Sequence, residues 1–234
     1  METNPGSENL EIMREAANYL SFVGNLVSSH LPPTGPILEF GAGNGLQTGH
    51  VGVDRDRLVC VENDERMKKV LEFNGYRVLQ KISELEDQRF SAAYSINCLE
   101  HIHDEDDSLS QLNSVLDESG RIVIFVPALP FLYSTMDAKV GHFRRYTKQH
   151  LRSVVEGAGF RVEELHYVDV LGVVFSFIFK LLGIKSGSPS PFTVKVYDRL
   201  VFPISRRLDV VFRRIIGKNL IVVGTKFNSS ESLG

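Results

Sequence analysis

The chain has 234 residues, of which 43% are hydrophobic and 24% charged, with a net charge of −3. This length suits one α/β domain with an elaboration, the composition is ordinary for a soluble globular protein, and the charge balance excludes a general affinity for nucleic acid. Cys60 and Cys98, the two cysteines, lie in apolar runs and read as reduced core residues, so a disulfide framework is excluded and a cytoplasmic setting expected. Met1–Asn9 is polar and acidic, unlike a signal peptide, and no apolar run approaches the ~20 residues that span a bilayer.

An amphipathic helix is predicted over 8–30 from Leu10, Met13, Ala17, Leu20, Val23 and Val27 at three- and four-residue spacing, ended by three prolines before residue 37. Strands are predicted at 37–40, 58–61, 76–79, 92–98, 121–126, 161–168 and 219–225. Helices are predicted at 65–73, 107–116 and 147–158, a turn at Ser119-Gly120, and a long loop over 127–147. Strands alternating with helices imply a parallel, doubly wound sheet. In such sheets a ligand sits beyond the carboxyl ends of the central strands.

The first strand runs straight into Gly41-Ala42-Gly43-Asn44-Gly45. Glycine lets the backbone turn sharply there and approach a ligand closely, and the next helix offers free N–H groups. A dinucleotide loop would need a small residue at position 46, where this chain has Leu46. Instead, Glu39 stands two residues before the first glycine, and Glu62 ends strand two. A carboxylate at Glu62 can accept hydrogen bonds from both hydroxyls of a ribose.

Glu39-x-Gly41-x-Gly43-x-Gly45 resembles motif I of class I S-adenosylmethionine (SAM)-dependent methyltransferases. Further along, Asn97-Cys98-Leu99-Glu100-His101 is similar to the signature that follows strand four in that superfamily, and Ala17-Asn18-Tyr19 is similar to a recurring element of its first helix. The resemblance implies SAM as cofactor. It also implies a seven-stranded sheet whose last strand is antiparallel, here with a helical insertion between strands six and seven. By the same resemblance Tyr19, Glu39, Gly41, Ala42, Gly43, Asn44, Gly45, Glu62, Asn63, Ile82, Asn97 and Leu99 surround the cofactor, with Tyr19 over the methionine end. Many members carry an acid near the adenine; Lys81-Ile82-Ser83 stands in that region, so backbone groups are expected there. A nicotinamide-dependent oxidoreductase and an inert methyltransferase-like binding module are the alternative readings.

Methyl transfer is an in-line displacement, so the protein must mainly align the partners; an oxygen or nitrogen acceptor also needs a base. His101 and His142 are the candidate bases. Glu100-His101 is also similar to part of the metal-binding pattern of ubiquinone-type O-methyltransferases, which has another Glu where this chain has Asn97, so no metal is expected. The acids at 104–107 read as a solvated helix start. Gly141-His142-Phe143-Arg144-Arg145-Tyr146-Thr147 resembles a segment of one branch of the superfamily, and Tyr133, Arg145 and Tyr146 are the candidate acceptor contacts.

The insertion, residues 171–217, joins aromatic and aliphatic residues to basic ones. Between Lys180 and Lys218 stand nine Lys or Arg and two Asp. This suits a lid over a small-molecule or lipid-linked acceptor, a peripheral contact with an anionic membrane, or a cap against the domain or a homodimer partner.

Overall fold

A computed structural model describes residues 11–85, 87–181 and 190–227. Seven strands form one sheet: β1 (Ile37–Phe40), β2 (Leu58–Val61), β3 (Arg77–Leu79), β4 (Phe90–Ile96), β5 (Leu116–Pro127), β6 (Phe160–Val168) and β7 (Asn219–Lys226), in the order β3-β2-β1-β4-β5-β7-β6. The pairs on either side of β1 and β4 are parallel, while β7 runs antiparallel to both β5 and β6. This is the expected doubly wound sheet with its antiparallel last strand.

The strand pattern explains the layers. Side chains alternate between faces along a strand. Ile122, Ile124 and Val126 of β5 join one buried cluster with Leu109, Leu112, Leu151 and Val155. These come from α4 (Glu105–Val115) and α6 (Lys148–Gly157). Val123 and Phe125 join the other cluster with Val23, Val27, Val51 and Leu71, from α1 (Ala17–Ser28), α2 (Leu46–Val51) and α3 (Glu65–Phe73). Fully burying each Leu or Val contributes about 1.5–3 kcal/mol before entropy is counted.

Three sequence expectations change in the fold. The first helix breaks at Arg14–Ala16 and restarts as α1, with residues 8–10 outside the described part. The cause is a distant cap: Asp198 accepts from the N–H groups of Asn18 and Tyr19, at 3.0 and 2.8 Å, and so fixes where α1 begins. Ser119-Gly120 lies within β5 as an irregularity, because the β4 register jumps from Phe90↔Leu116 to Ala92↔Arg121 and Ser119 takes a φ of 61°. The long loop contains a 3-10 turn, Pro130–Leu132, and α5 (Thr135–Val140). A reciprocal cap between Ser134 and Asp137 starts α5.

Between β6 and β7 lies the helical insertion: α7 (Val170–Leu181), α8 (Pro191–Val196), a π-helical turn (Tyr197–Val201) and α9 (Phe202–Phe212). The turn-rich stretch of sequence from Ser186 to Pro191 falls mostly outside the described residues. Pro203 does not end the helix: it sits in the first turn of α9, where a missing N–H is tolerated, directly after the π turn. Buried acids fasten the insertion down. Asp169 accepts from the hydroxyls of Tyr197 (2.6 Å) and Ser205 (2.8 Å), and Asp209 accepts from the N–H groups of Asp169 and Val170, both at 2.8 Å.

Candidate active site

A cavity of about 1280 Å³ opens at the carboxyl ends of β1, β2, β4 and β5. Its first half is built largely from backbone. Gly41, Gly43 and Gly45 have φ values of 77°, 56° and 80°, in the left-handed region that favours glycine. A Cβ at Gly41 would stand 2.1 Å from the Cys98 Sγ, so the loop is as close to the β4 end as packing permits. Glu62 braces it: one carboxylate oxygen accepts from Gly43 N–H at 2.7 Å and the other from Asp64 N–H at 2.9 Å. An ionised carboxylate has further lone pairs, which leaves Glu62 able to receive a ribose diol as well.

Glu39 is buried beneath the loop. Burial pushes its pKa up to about 7, partly offset by the hydroxyls of Thr48 and Tyr94 and the Cys60 thiol that face it. Tyr19 is buried at the other side, its hydroxyl accepting from the Asn219 side-chain amide at 3.1 Å. Asn63 and Ile82 extend the wall beyond Glu62, with Lys81 and Ser83 beside them. Asn97, with a φ of 49°, and Cys98 close it from the β4 end.

The second half is built from side chains that are distant in sequence. The 141–146 segment is stitched onto the 100–105 segment: Phe143 N–H donates to the Glu100 carbonyl at 2.8 Å, and Arg144 pairs with Glu105 at 2.7 Å. This brings the His142 ring to 4.6 Å from that of His101. Asp137 organises the group, receiving Arg145 through two nitrogens at 2.8 and 3.1 Å and facing His142 Nδ1 at 2.9 Å. Burial alone would raise its pKa, but the His142 hydrogen bond and the Arg145 guanidinium outweigh that and hold the carboxyl well below its usual range. Glu100 is wholly buried, and neither carboxylate oxygen has a hydrogen-bond partner among the described residues. Burial pushes its pKa up to about 8. His101 remains solvent-accessible, yet desolvation of its ring and the neighbouring His142 ring lower its pKa and keep a lone pair free. Lys218 completes this wall, its pKa lowered by burial.

Most of the predicted site residues line the one cavity: Tyr19, Glu39, Gly41, Ala42, Gly43, Asn44, Glu62, Asn63, Ile82, Asn97, His101, His142 and Arg145. Four do not. Gly45 caps the start of α2, and Leu99 is buried in the core. Tyr133 is turned to donate its hydroxyl to the His142 carbonyl at 2.7 Å. Tyr146 departs most clearly: it is fully buried, with its hydroxyl on Glu105, so it fastens the loop. Glu105 too departs from the expected solvated start of α4, while Asp104 caps that helix as expected. The sequence reading assigned no role to Asp137 or Lys218.

The profile of a methyltransferase domain matches residues 11–165, which take in the glycine loop, Glu62 and the Glu100–His142 group. The chain belongs to the methyltransferase-domain family. No curated protein sequence matches it. Among solved structures, a SAM-dependent methyltransferase from Thermotoga maritima, described as a possible histamine N-methyltransferase, superposes with a TM-score of 0.63 at 18% identity, covering 94% of this chain and 95% of the other. A SAM-dependent methyltransferase from Archaeoglobus fulgidus gives 0.57 at 18%, covering 88% and 94%. A cyclopropane synthase from Mycobacterium tuberculosis gives 0.56 at 12%, covering 87% and 82%. At these identities the likeness is one of fold.

The methyltransferase uses SAM, which supplies a methyl group already activated on a sulfonium. The residues fit it. The glycine loop, drawn close to Cys98, lets a ligand approach its backbone without side chains in the way, Glu62 suits the ribose, and Glu39 suits the methionine ammonium. The low, dry position of Glu39 favours an ion pair only when a cation arrives, which the ammonium provides.

Proposed function

We propose that this methyltransferase transfers the methyl group to an oxygen of a small or lipid-like acceptor seated against Glu100, His101 and His142. One observation carries the reading: a cluster with free lone pairs faces the same cavity as the cofactor loop. A neutral imidazole there takes the hydroxyl proton as the oxygen attacks, and Asp137 keeps the His142 ring oriented by holding its Nδ1–H. Arg145, locked on Asp137, acts as a positioning residue rather than an acceptor contact. The test is transfer of labelled methyl from SAM to fractionated aqueous and organic extracts. An O-methyl ether or ester as product supports the reading; label found only on nitrogen or carbon overturns it.

We further propose that the insertion rests on an anionic lipid surface, which suits an acceptor of lipid character. Both acids between Lys180 and Lys218 are turned inward: Asp198 caps α1 and Asp209 anchors residues 169–170. The outer face is therefore left to bases and apolar groups. Leu200, Ile204 and Val211 are exposed and share a helical stripe with exposed Arg207. No helix among the described residues is long and apolar enough to cross a membrane, so the contact is one of lying on the surface.

A further inference from the structure

We propose that Glu100, His101 and His142 hold a divalent transition-metal ion at the acceptor end of the cavity; the proposal rests on the reading that this end receives the acceptor. One donor atom from each residue lies within 4.8 Å of the other two, and Glu100 Oε1 is 3.8 Å from His142 Nε2. Nitrogen and oxygen ligands sit about 2.0–2.2 Å from such an ion, hence roughly 3.5 Å from one another. Small side-chain adjustments complete the site.

The first argument is the carboxylate. Glu100 is completely buried and both its oxygens lack a hydrogen-bond partner among the described residues. A buried polar group left unpaired is costly, and ionising it there without a counter-charge more so. The Arg145 guanidinium does not satisfy it, because it is spent on Asp137 through two nitrogens. A cation between Glu100 and the histidines satisfies it.

The second argument is the tautomer of His142. Its Nδ1 is 2.9 Å from Asp137 Oδ1, and an ionised carboxylate only accepts, so Nδ1 carries the hydrogen. At 3.8 Å, Nε2 is too far from Glu100 to be donating a hydrogen bond to it. Its lone pair therefore points into the cluster. A carboxylate behind the non-ligating ring nitrogen is the arrangement that orients metal-binding histidines. Here Asp137 is itself fixed by Arg145 and Ser134.

Two imidazoles and one carboxylate select zinc, manganese, iron(II) or cobalt over the all-oxygen ions calcium and magnesium. Three protein ligands leave a position open, and the cluster lines the cavity. An acceptor oxygen bound there would lose its proton more readily and would be aligned with the cofactor.

The experiment uses the full chain after chelator treatment, titrated with Co²⁺ by absorption and with Zn²⁺ by calorimetry. One equivalent should bind, with cobalt bands of nitrogen and oxygen ligation. Glu100→Gln and His142→Ala should each abolish the bands. Asp137→Asn should weaken binding by about 10–100-fold, the usual cost of losing an orienting partner. S-adenosylhomocysteine binding, measured alongside, should persist in every variant and shows that each is folded. Absence of saturable cobalt and zinc binding overturns the metal site, as does unchanged binding in both His142→Ala and His101→Ala. Methyl transfer to oxygen that proceeds in full after chelation overturns the metal's role and leaves the acceptor reading standing. Metal binding accompanied by label only on nitrogen or carbon does the reverse.

Discussion

The two halves of the cavity are built on different principles. On the cofactor side the wall is a glycine loop and the neighbouring strand end, close together in sequence, with Glu62 reaching from the end of β2 to Gly43. On the acceptor side it is made of side chains drawn from residues 100, 101, 137, 142, 145 and 218. The first half needs only a strand, a glycine loop and an acid at the next strand end. The second exists only after the 141–146 segment has docked on the 100–105 segment. On the proposed division, the cofactor half is thus written locally, while the proposed acceptor half is written in tertiary contacts.

The largest effect should come from the cofactor side. Glu62→Ala removes the charged acceptor of two ribose hydrogen bonds, each worth about 1.5–3 kcal/mol, and also frees Gly43. SAM affinity measured by calorimetry should fall by at least about 100-fold. Glu62→Gln keeps one acceptor oxygen and should lose less. Gly41→Ala should match Glu62→Ala by another route, since its Cβ would overlap Cys98 Sγ. Wild-type affinity in Glu62→Ala would mean that the two halves are not divided as described.

On the acceptor side, Asp137→Ala leaves Arg145 as a buried, unpaired charge and releases His142. Breaking a buried pair in this way costs about 3–5 kcal/mol of stability, read as a lower denaturant midpoint. At temperatures where the variant is folded, SAM should still bind while methyl transfer is lost. Loss of SAM binding in folded protein would join the two halves into one unit.

A smaller effect should separate them by pH. Glu39 is raised to about 7 by burial, against about 4.3 in an unfolded chain. Between those values the folded state holds a proton that the unfolded state has released, so its contribution to stability falls as pH rises. Cofactor binding runs the other way, because the ammonium favours ionised Glu39. SAM affinity should rise from pH 5.5 to about 7 and then level off. Glu39→Gln should flatten this profile and bind about tenfold more weakly at pH 8, the loss of one charge-assisted hydrogen bond. A profile that keeps its slope in Glu39→Gln would assign the titration to another group.

This division also explains what the sequence reveals. β1, β2 and α3 begin and end where hydrophobic pattern and turn residues predict, since each is decided by its own residues. Leu99 and Tyr146 lie buried away from the cavity, which residue type alone does not show, since it does not say which way a side chain turns. Tyr146 looks like an acceptor contact until Glu105 is found behind it. Asp137 stands out only once α5 places it under Arg145 and His142. The start of α1 is invisible in its own sequence, being set by Asp198, 180 residues away from Asn18.

The smallest effect tests the insertion. Its outer face combines exposed Leu200, Ile204, Val210, Val211 and Ile215 with Arg199, Arg207, Arg213 and Arg214, which make no salt bridge among the described residues. Each cation near an anionic membrane contributes about 1 kcal/mol, so Arg207→Gln should cut partitioning onto anionic vesicles roughly fivefold. Its SAM affinity should not change, because Arg207 lies outside the cavity. High salt should release the wild-type protein, as exposed charges are screened, though the apolar stripe should keep a residue of binding that Val211→Asp removes. A second copy of the chain is the other occupant such a face could take. Sedimentation separates the two: protein that stays monomeric and floats with anionic vesicles supports the lipid surface. Protein that dimerises through this face, fails to float at low salt and becomes monomeric in Val211→Asp would assign the stripe to the dimer instead.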